Sequence, residues 1–289
     1  MAKQKVLVIL DRRNRPQTAL KRALRMQKDA KNGIQLKLVS FLHNALVETE
    51  AAFNAKERRA VKKLLLDQHD AWLEELSRDH PDLPSITTVW AHDIAGWVQK
   101  NARRVDLVIK SSSGSKRSRS ATDWALLNTC PTNLLLVGHR RVRQPKKVLA
   151  ALDMDHKDKL HKALNQEVLA TASELAQLSG AELHAACVVE VAPALVDLDV
   201  IDEKKAKTKV QKRTKSALDM LLRRYPKVKR HFPVGRIGQA LADCAKDVGA
   251  DVVVVGMRAH NIKSSLGLGS SAQRIVRKAP CDVLAVRSS

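Results

Sequence analysis

Two stretches of the chain carry nearly the same sequence, Lys5-Val-Leu-Val-Ile-Leu-Asp11 and, much later, Lys147-Val-Leu-Ala-Ala-Leu-Asp153. Each is a short apolar run that closes on an aspartate and is followed by a polar loop and a helix-like segment. An uninterrupted apolar run of this length predicts a strand that is buried on both faces of a sheet. Because the pattern occurs twice, the sequence of 289 residues predicts two similar α/β units.

The segments after each run repeat as well, since helix-like segments alternate with four further strand candidates in both halves. These candidates are 35–42, 86–90, 105–109 and 133–137 in the first half, and 182–191, 228–233, 250–255 and 282–286 in the second. Strands that alternate with helices predict a parallel sheet covered on both faces. We therefore expect two tandem doubly wound parallel five-stranded sheets. The charged, proline-ended stretch 139–145 separates them, which predicts domains at 1–143 and 144–289.

The chain lacks an apolar run long enough for a membrane span, and its N-terminus lacks the pattern of a secretory signal. The expected compartment is therefore the cytoplasm. Its four cysteines show neither CxxC nor zinc-ribbon spacing, which predicts buried, reduced thiols. These cysteines are Cys130, Cys187, Cys244 and Cys281.

The charge balance is strongly basic, with 52 Lys and Arg residues against 30 Asp and Glu residues and a formal net charge of +22. Such a field attracts polyanions such as nucleic acid. Basic residues are dense in Lys204–Lys215 and Lys110–Arg119, which we expect to carry weak nucleic-acid binding without sequence preference. Recognition motifs are absent and aromatic residues make up only 3%, so a merely solvated basic surface is the alternative.

Small residues cluster where the fourth strand of the second half ends. Gly256-Met-Arg-Ala259 closes that strand and, nine residues later, Gly269-Ser270-Ser271 opens the next helix. In a doubly wound sheet, ligands bind beyond the carboxyl ends of the strands, where the strand order reverses. Small residues let backbone N–H groups approach phosphate oxygens there, and a helix N-terminus favours negative charge. The alternative is a helix N-terminus with small residues and no ligand.

This pattern resembles the nucleotide motif of the universal stress protein family, G-x-x-G-x(9)-G-[S/T], with Ala259 in place of the second glycine. The run 273–286 resembles the closing helix and strand of that family. The N-terminal half, with Thr122-Asp-Trp-Ala-Leu-Leu127 and Cys130-Pro131, resembles the tandem-domain E type. The resemblance covers essentially the whole chain, once per half, and implies the adenine nucleotide alpha hydrolase-like fold.

The resemblance also implies a site in the second half for ATP, or for ADP or AMP, with Mg²⁺ arriving with the nucleotide. It places Asp153 against the adenine and the backbone of Val188 beside the base. The other implied residues border the ribose and phosphates or hold the phosphate chain: Gly256, Arg258, Ala259, Gly269, Ser270 and Ser271. If the backbone at position 259 needs a positive φ, alanine costs about 1–2 kcal/mol there.

The N-terminal half has lost this motif. Lys110 stands where the second half has Gly256, and Ser120-Ala121-Thr122 replaces the small residues that open the helix, although Asp11 is kept. We expect this half to serve as a structural partner or to hold a different ligand.

Histidines and carboxylates crowd the loop after the first strand of the second half, but their spacing matches no metal signature. They are Asp153, Asp155, His156, Asp158 and His161. We therefore expect no metal site of the protein's own. The motifs G-x-S-x-G, H-E-x-x-H and Walker A are absent, so the sequence assigns no catalytic residue, and any ATP hydrolysis should be slow.

Two functions stay open. The first is a nucleotide-dependent regulator, for which the resemblance implies roles in stress tolerance, including resistance to DNA damage. The second is a nucleotide-free scaffold or interaction protein, in which the two halves pair through their final strands as an intramolecular pseudo-dimer. The sequence leaves open whether the chain also forms a homodimer.

Overall fold

The fold is that of a computed structural model, which describes residues 3–30, 33–48, 54–112, 119–138, 142–154, 158–189, 203–257 and 270–287. None of the helices in these ranges is both long enough and apolar enough to cross a bilayer.

The first half alternates strands with helices from its beginning. Its elements are β1 (Gln4–Ile9), α1 (Thr18–Asp29), β2 (Ile34–Leu42), α2 (Ala45–Glu48), α3 (Ala55–Asp79), β3 (Ile86–Trp90), α4 (Ile94–Asn101), β4 (Leu107–Ser111), α5 (Ala121–Thr129) and β5 (Asn133–Val137). Side-chain caps start several of these helices. Asn54 and Ser120, for example, form capping boxes with Glu57 and Asp123.

The second half repeats this order. Its elements are β6 (Lys147–Ala151), α6 (Lys159–Ser179), β7 (Glu182–Ala186), α7 (Glu203–Leu221), a short 3₁₀ helix (Leu222–Arg224), β8 (Lys229–His231), α8 (Ile237–Val248), β9 (Val252–Met257), α9 (Ser270–Lys278) and β10 (Asp282–Arg287). Gly180 and Gly249 end α6 and α8 at φ of 62° and 70°, the left-handed conformation that glycine adopts without strain.

All ten predicted strands are present and form one sheet in the order β3-β2-β1-β4-β5-β10-β9-β6-β7-β8. Within each half every strand pair is parallel. The predicted fold of two doubly wound five-stranded units is therefore confirmed. The strand β7 is shorter than its predicted range of 182–191, and residues 190–191 lie outside the described residues. The predicted division at 143/144 falls between β5 and β6.

The halves join through their final strands, as the scaffold hypothesis predicted. β5 and β10 pair antiparallel, with Leu136 opposite Val283 and Leu134 opposite Ala285. Each face of the sheet carries one buried apolar cluster, and both clusters contain residues from both halves. Side chains of β5 and β10 point alternately into the two clusters, so the apolar core continues across the join. All four cysteines are buried, as predicted, and each is a thiol outside any disulfide.

Buried polar contacts flank the join. The Asp282 carboxylate accepts a hydrogen bond from the Gly138 N–H at 2.8 Å. It also forms an ion pair with Arg22 of α1 at 2.5 Å. Arg22 also donates to the Arg143 carbonyl in the linker at 2.6 Å. On the other side, Asn133 accepts from the Arg287 N–H at 3.0 Å. Asn133 and Asp282, the first residues of β5 and β10, thus each accept a hydrogen bond from a backbone N–H of the other half.

Two arginines also cap helices across the join. Arg287 donates to the Leu127 carbonyl of α5 at 2.7 Å, and Arg119 donates to the Val276 carbonyl of α9 at 3.3 Å. Both carbonyls lie in the last helical turn, where they lack an intrahelical partner and where the helix dipole favours a cation. Each half therefore stabilises the C-terminus of a helix in the other half.

We predict that Arg22→Ala lowers the free energy of unfolding by about 3 kcal/mol, because Asp282 keeps a buried charge without its cation. Urea unfolding followed by circular dichroism measures this change. Arg25→Ala is the matched control, since Arg25 lies on the same helix in an exposed pair with Asp29 and should contribute less than about 1 kcal/mol. Equal unfolding midpoints for the two variants would contradict the stabilising role of the Arg22 contact.

Candidate functional site

The candidate site lies where the strand order of the second half reverses. The chain runs from β6 outward to β7 and β8 and then returns to β9 on the other side of β6. Leu152 continues the β6 ladder by donating to the Ala186 carbonyl at 2.9 Å. Three of the predicted residues, Asp153, Val188 and Gly256, therefore lie at the carboxyl ends of the adjacent strands β6, β7 and β9. Ligands of doubly wound sheets bind at this kind of edge.

The backbone of Asp153 is held in place by hydrogen bonds to a side chain of α6. The side chain of Asn165 on α6, itself buried, accepts from the Asp153 N–H at 3.0 Å and donates to the Asp153 carbonyl at 2.6 Å. The Asp153 side chain is 41% exposed, and its carboxylate lies 4.0 Å from Nε2 of His161. Asp158 caps α6 by accepting from the His161 N–H at 2.9 Å, and its other oxygen contacts the His161 ring. The backbone of Asp153 is thus fixed while its carboxylate stays accessible.

Gly256 has a packing role that the sequence analysis missed. A Cβ atom at this position would lie 2.7 Å from Cγ of Leu164 on α6, closer than side-chain carbons approach. The glycine therefore lets α6 pack directly over β9. Leu164 and Asn165 were both missed by the sequence analysis. The signal that could have indicated Asn165 was an asparagine at a buried position in a mostly apolar helix face.

The remaining predicted residues are only partly described. Arg258, Ala259 and Gly269 lie outside the described residues. Ser270 and Ser271 form the first turn of α9, which follows β9 in the chain, and their side chains are not described. The phosphate-contacting part of the site therefore stays a prediction. Among the described residues, no group of three His, Cys, Asp or Glu side chains is arranged to hold a metal ion.

The strand registers correct the comparison between the halves. Ile9 pairs with Lys110 in β4, and its repeat counterpart Ala151 pairs with Val255 in β9. Lys110 therefore corresponds to Val255, and the residue that replaces Gly256 is Ser111. The predicted equivalence of Lys110 with Gly256 was therefore wrong by one residue, and aligning Asp106 with Asp251, which directly precede β4 and β9, gives the same correction.

Ser111 closes the site in the N-terminal half. Its Oγ donates to the Asp11 carboxylate at 2.5 Å and accepts from the Ala19 N–H at 2.8 Å. The same Asp11 oxygen accepts from the Thr18 N–H at 3.0 Å. The aspartate is kept in both halves, but in the first half its carboxylate is bonded within the protein. In the second half, Gly256 has no side chain to make this contact.

Lys110 is a core residue. Its Nζ lies 2.8 Å from the Asp123 carboxylate, and their side chains are 7% and 0% exposed. Counting back from Pro131 and Pro280, Asp123 corresponds to Ala272. A buried ion pair thus takes the place of the apolar residues Val255 and Ala272. Lys110 itself is therefore not exposed to a polyanion, while the expected contact of the segment Lys110–Arg119 with nucleic acid stays a prediction. Residues 113–118 of the same basic segment lie outside the described residues.

The other basic segment, Lys204–Lys215, lies on α7. Of its cations, Lys212 and Lys215 are exposed, while the other cationic side chains are not described. Its predicted contact with nucleic acid stays a prediction.

Comparisons with known proteins agree with the fold. Residues 145–287 match the model of the universal stress protein family. The chain is 23% identical to the universal stress protein E homolog of Haemophilus influenzae, over 98% of this chain and 97% of that protein. It is 24% identical to universal stress protein E of Escherichia coli, over 98% and 94%. A solved universal stress protein structure from Pseudomonas aeruginosa superposes with a TM-score of 0.70 at 19% identity, covering 99% of this chain and 94% of that one.

We predict that Lys110→Val lowers the free energy of unfolding by about 3 kcal/mol, because Asp123 is left as an unpaired buried charge. The double variant Lys110→Val/Asp123→Ala, which restores the pair of residues found at Val255 and Ala272, should recover most of this loss. The loss of the capping box at Ser120 leaves about 1 kcal/mol unrecovered. A double-mutant cycle from urea unfolding measures the coupling, and strictly additive losses would contradict it.

Proposed function

Because the chain belongs to the universal stress protein family, we propose that its C-terminal half binds ATP or a related adenine nucleotide. In this proposal the protein is a nucleotide-dependent regulator of stress tolerance, including resistance to DNA damage, and it acts in the cytoplasm. The domain at 144–289 holds the nucleotide, and the domain at 1–143 is its structural partner.

The difference between the two equivalent aspartates is the observation that carries this proposal. Asp11 is bonded to Ser111 and to the backbone of Thr18, whereas the Asp153 side chain is 41% exposed at the reversal of strand order. A carboxylate fixed by its backbone at this edge can accept a hydrogen bond from an exocyclic amine such as that of adenine. With its side chain 41% exposed, Asp153 offers such an acceptor.

The first turn of α9 supports the phosphate part of the proposal. Its N-terminal backbone N–H groups have no intrahelical partners, and the helix dipole favours an anion there. Gly256, Arg258 and Ala259 would line the path from the base to this turn, with Gly269, Ser270 and Ser271 at the phosphates. Bound Mg²⁺ would neutralise part of the phosphate charge, and the nucleotide would supply most of its ligands.

The described residues favour regulation over turnover. Asp153 lies at the strand ends, and His161, whose Nε2 is 4.0 Å from its carboxylate, is engaged with Asp158. Without a further base to activate water, any hydrolysis of ATP should be slow. We assign no catalytic residue.

A nucleotide-free scaffold is the second candidate. The continuous sheet through β5 and β10 favours it, because these strands join the two halves into a pseudo-dimer through contacts within the chain. The alanine at position 259, where the family has glycine, also favours it. Mass spectrometry of the supernatant from freshly purified, denatured protein separates the candidates: co-purified ATP, ADP or AMP supports the first, and a clean supernatant supports the second.

We predict that isothermal titration with ATP–Mg²⁺ gives binding heat, and that Asp153→Asn weakens the affinity about tenfold because a charged hydrogen bond is removed. Asp11→Asn is the matched control and should leave the affinity unchanged, because Asp11 is bonded within its own half. Gly269→Leu should abolish the heat by filling the phosphate space. Absence of heat for the wild-type protein at high concentration would overturn the proposal, and equal losses for both aspartate variants would overturn the assignment of the site.

A further inference from the structure

We propose that the carboxyl edge of the N-terminal half is a binding surface for single-stranded nucleic acid. The surface has two parts: the arginine turn, formed by Arg12, Arg13 and Arg15 between β1 and α1, and an aromatic cluster formed by His43, Trp90 and His92. This inference does not depend on the nucleotide site, which lies in the other half.

The arginine turn is held in shape by one side chain. The Nε2 of Gln17 donates to the carbonyls of Asp11, Arg12 and Arg15 at 3.1, 3.3 and 3.4 Å, and its Oε1 accepts from the Asp11 N–H at 3.1 Å. The Arg15 N–H also donates to the Arg12 carbonyl at 2.9 Å. The backbone of the turn is therefore fixed without using any of the three guanidinium groups, which reduces the entropy cost when a ligand binds.

The charge of the turn is not neutralised within the protein. All three arginines are exposed, and none of them forms an ion pair with the described part of the chain. Asp11 is the one acid of the loop, and its carboxylate points inward to Ser111 and Thr18. Guanidinium groups pair well with phosphate oxygens, so three of them in one rigid turn suit a phosphate backbone.

The aromatic cluster lies at the same edge. The strand order β3-β2-β1 places the end of β3 two strands from the arginine turn, on the order of 10 Å away. The ring centroids of His43 and His92 are 4.9 Å apart, those of His43 and Trp90 are 6.3 Å apart, and Lys62 lies over the Trp90 ring at 4.7 Å. Glu48 is the carboxylate of this cluster, and it is hydrogen-bonded by both His43 and Trp90.

Aromatic rings beside a cationic turn favour a single strand over a duplex. Unpaired bases stack on exposed rings such as that of His92, while the backbone follows the cations. In the second half, the loop after the equivalent aspartate, 154–158, contains Asp155, Asp158 and one lysine, Lys157, where the first half has three arginines. Because β5 and β10 are antiparallel, the two carboxyl edges lie on opposite sides of the molecule.

The test is fluorescence anisotropy with a labelled single-stranded oligonucleotide of mixed sequence, without ATP, from about 50 to 200 mM salt. We expect salt-dependent binding by the wild-type protein. The triple variant Arg12→Ala/Arg13→Ala/Arg15→Ala should bind about tenfold more weakly and with a smaller salt slope, by about 0.7 for each phosphate that is no longer neutralised. His92→Ala should weaken binding of the single strand but not of a duplex.

The matched control is the triple variant Lys100→Ala/Arg103→Ala/Arg104→Ala. It removes the same charge from exposed positions before β4, at the opposite edge of the same half. This control should bind within about twofold of the wild type, because its cations do not face the ligand. Unchanged thermal unfolding confirms that each variant folds.

Three outcomes would overturn the inference. Equal losses of affinity for both triple variants would mean that binding follows net charge. Unchanged affinity in the arginine-turn variant would place binding elsewhere on the chain. Tighter binding of duplex than of single strands would contradict the stacking role of the aromatic cluster.

Discussion

The antiparallel pairing of β5 with β10 is the interaction on which the rest of the structure depends. Each half is a five-stranded unit that would otherwise end in an exposed edge strand rich in leucine or valine, and an exposed apolar edge promotes aggregation. Pairing the two edges satisfies both rows of backbone groups. It also merges the apolar layers on each face of the sheet, so that neither half has a complete core without the other.

Polar residues around this join specify its register. Asp282 and Asn133 occupy the same position in their strands, and each accepts a backbone N–H from the other half. Arg22 neutralises the buried charge of Asp282. Asn133 carries no charge and therefore needs no such partner. Burial raises the pKa of Asp282, while Arg22 and Gly138 oppose that shift. The two sides of the join are thus similar in geometry but not in chemistry.

The same divergence separates the ligand-facing edges of the halves. In the first half, the hydroxyl of Ser111 donates a hydrogen bond to the Asp11 carboxylate, whereas the side chain of the equivalent Asp153 is 41% exposed. Next to it, Lys110 and Asp123 replace two apolar residues with a buried ion pair, which connects to Arg119 through Ser112. The carboxyl end of β4 is therefore bonded within the protein, whereas the carboxyl end of β9 forms part of the proposed nucleotide site. In the first half, the loop after β1 exposes Arg12, Arg13 and Arg15.

Periodicity and repetition in the sequence were enough to predict ten strands, two units and the reversal of strand order, because apolar runs of strand length have few ways to be buried. They also predicted that Asp153, Val188 and Gly256 lie at strand ends, since chain order determines where parallel strands finish. The tertiary structure corrected the residue that replaces Gly256 from Lys110 to Ser111, through the pairing of β1 with β4 and of β6 with β9. It also decided that Asp11 is occupied and that Lys110 is buried. Asp11 is bonded because the fold brings Ser111, 100 residues later in the chain, within hydrogen-bond distance of it. Lys110 is buried because the fold places it against Asp123.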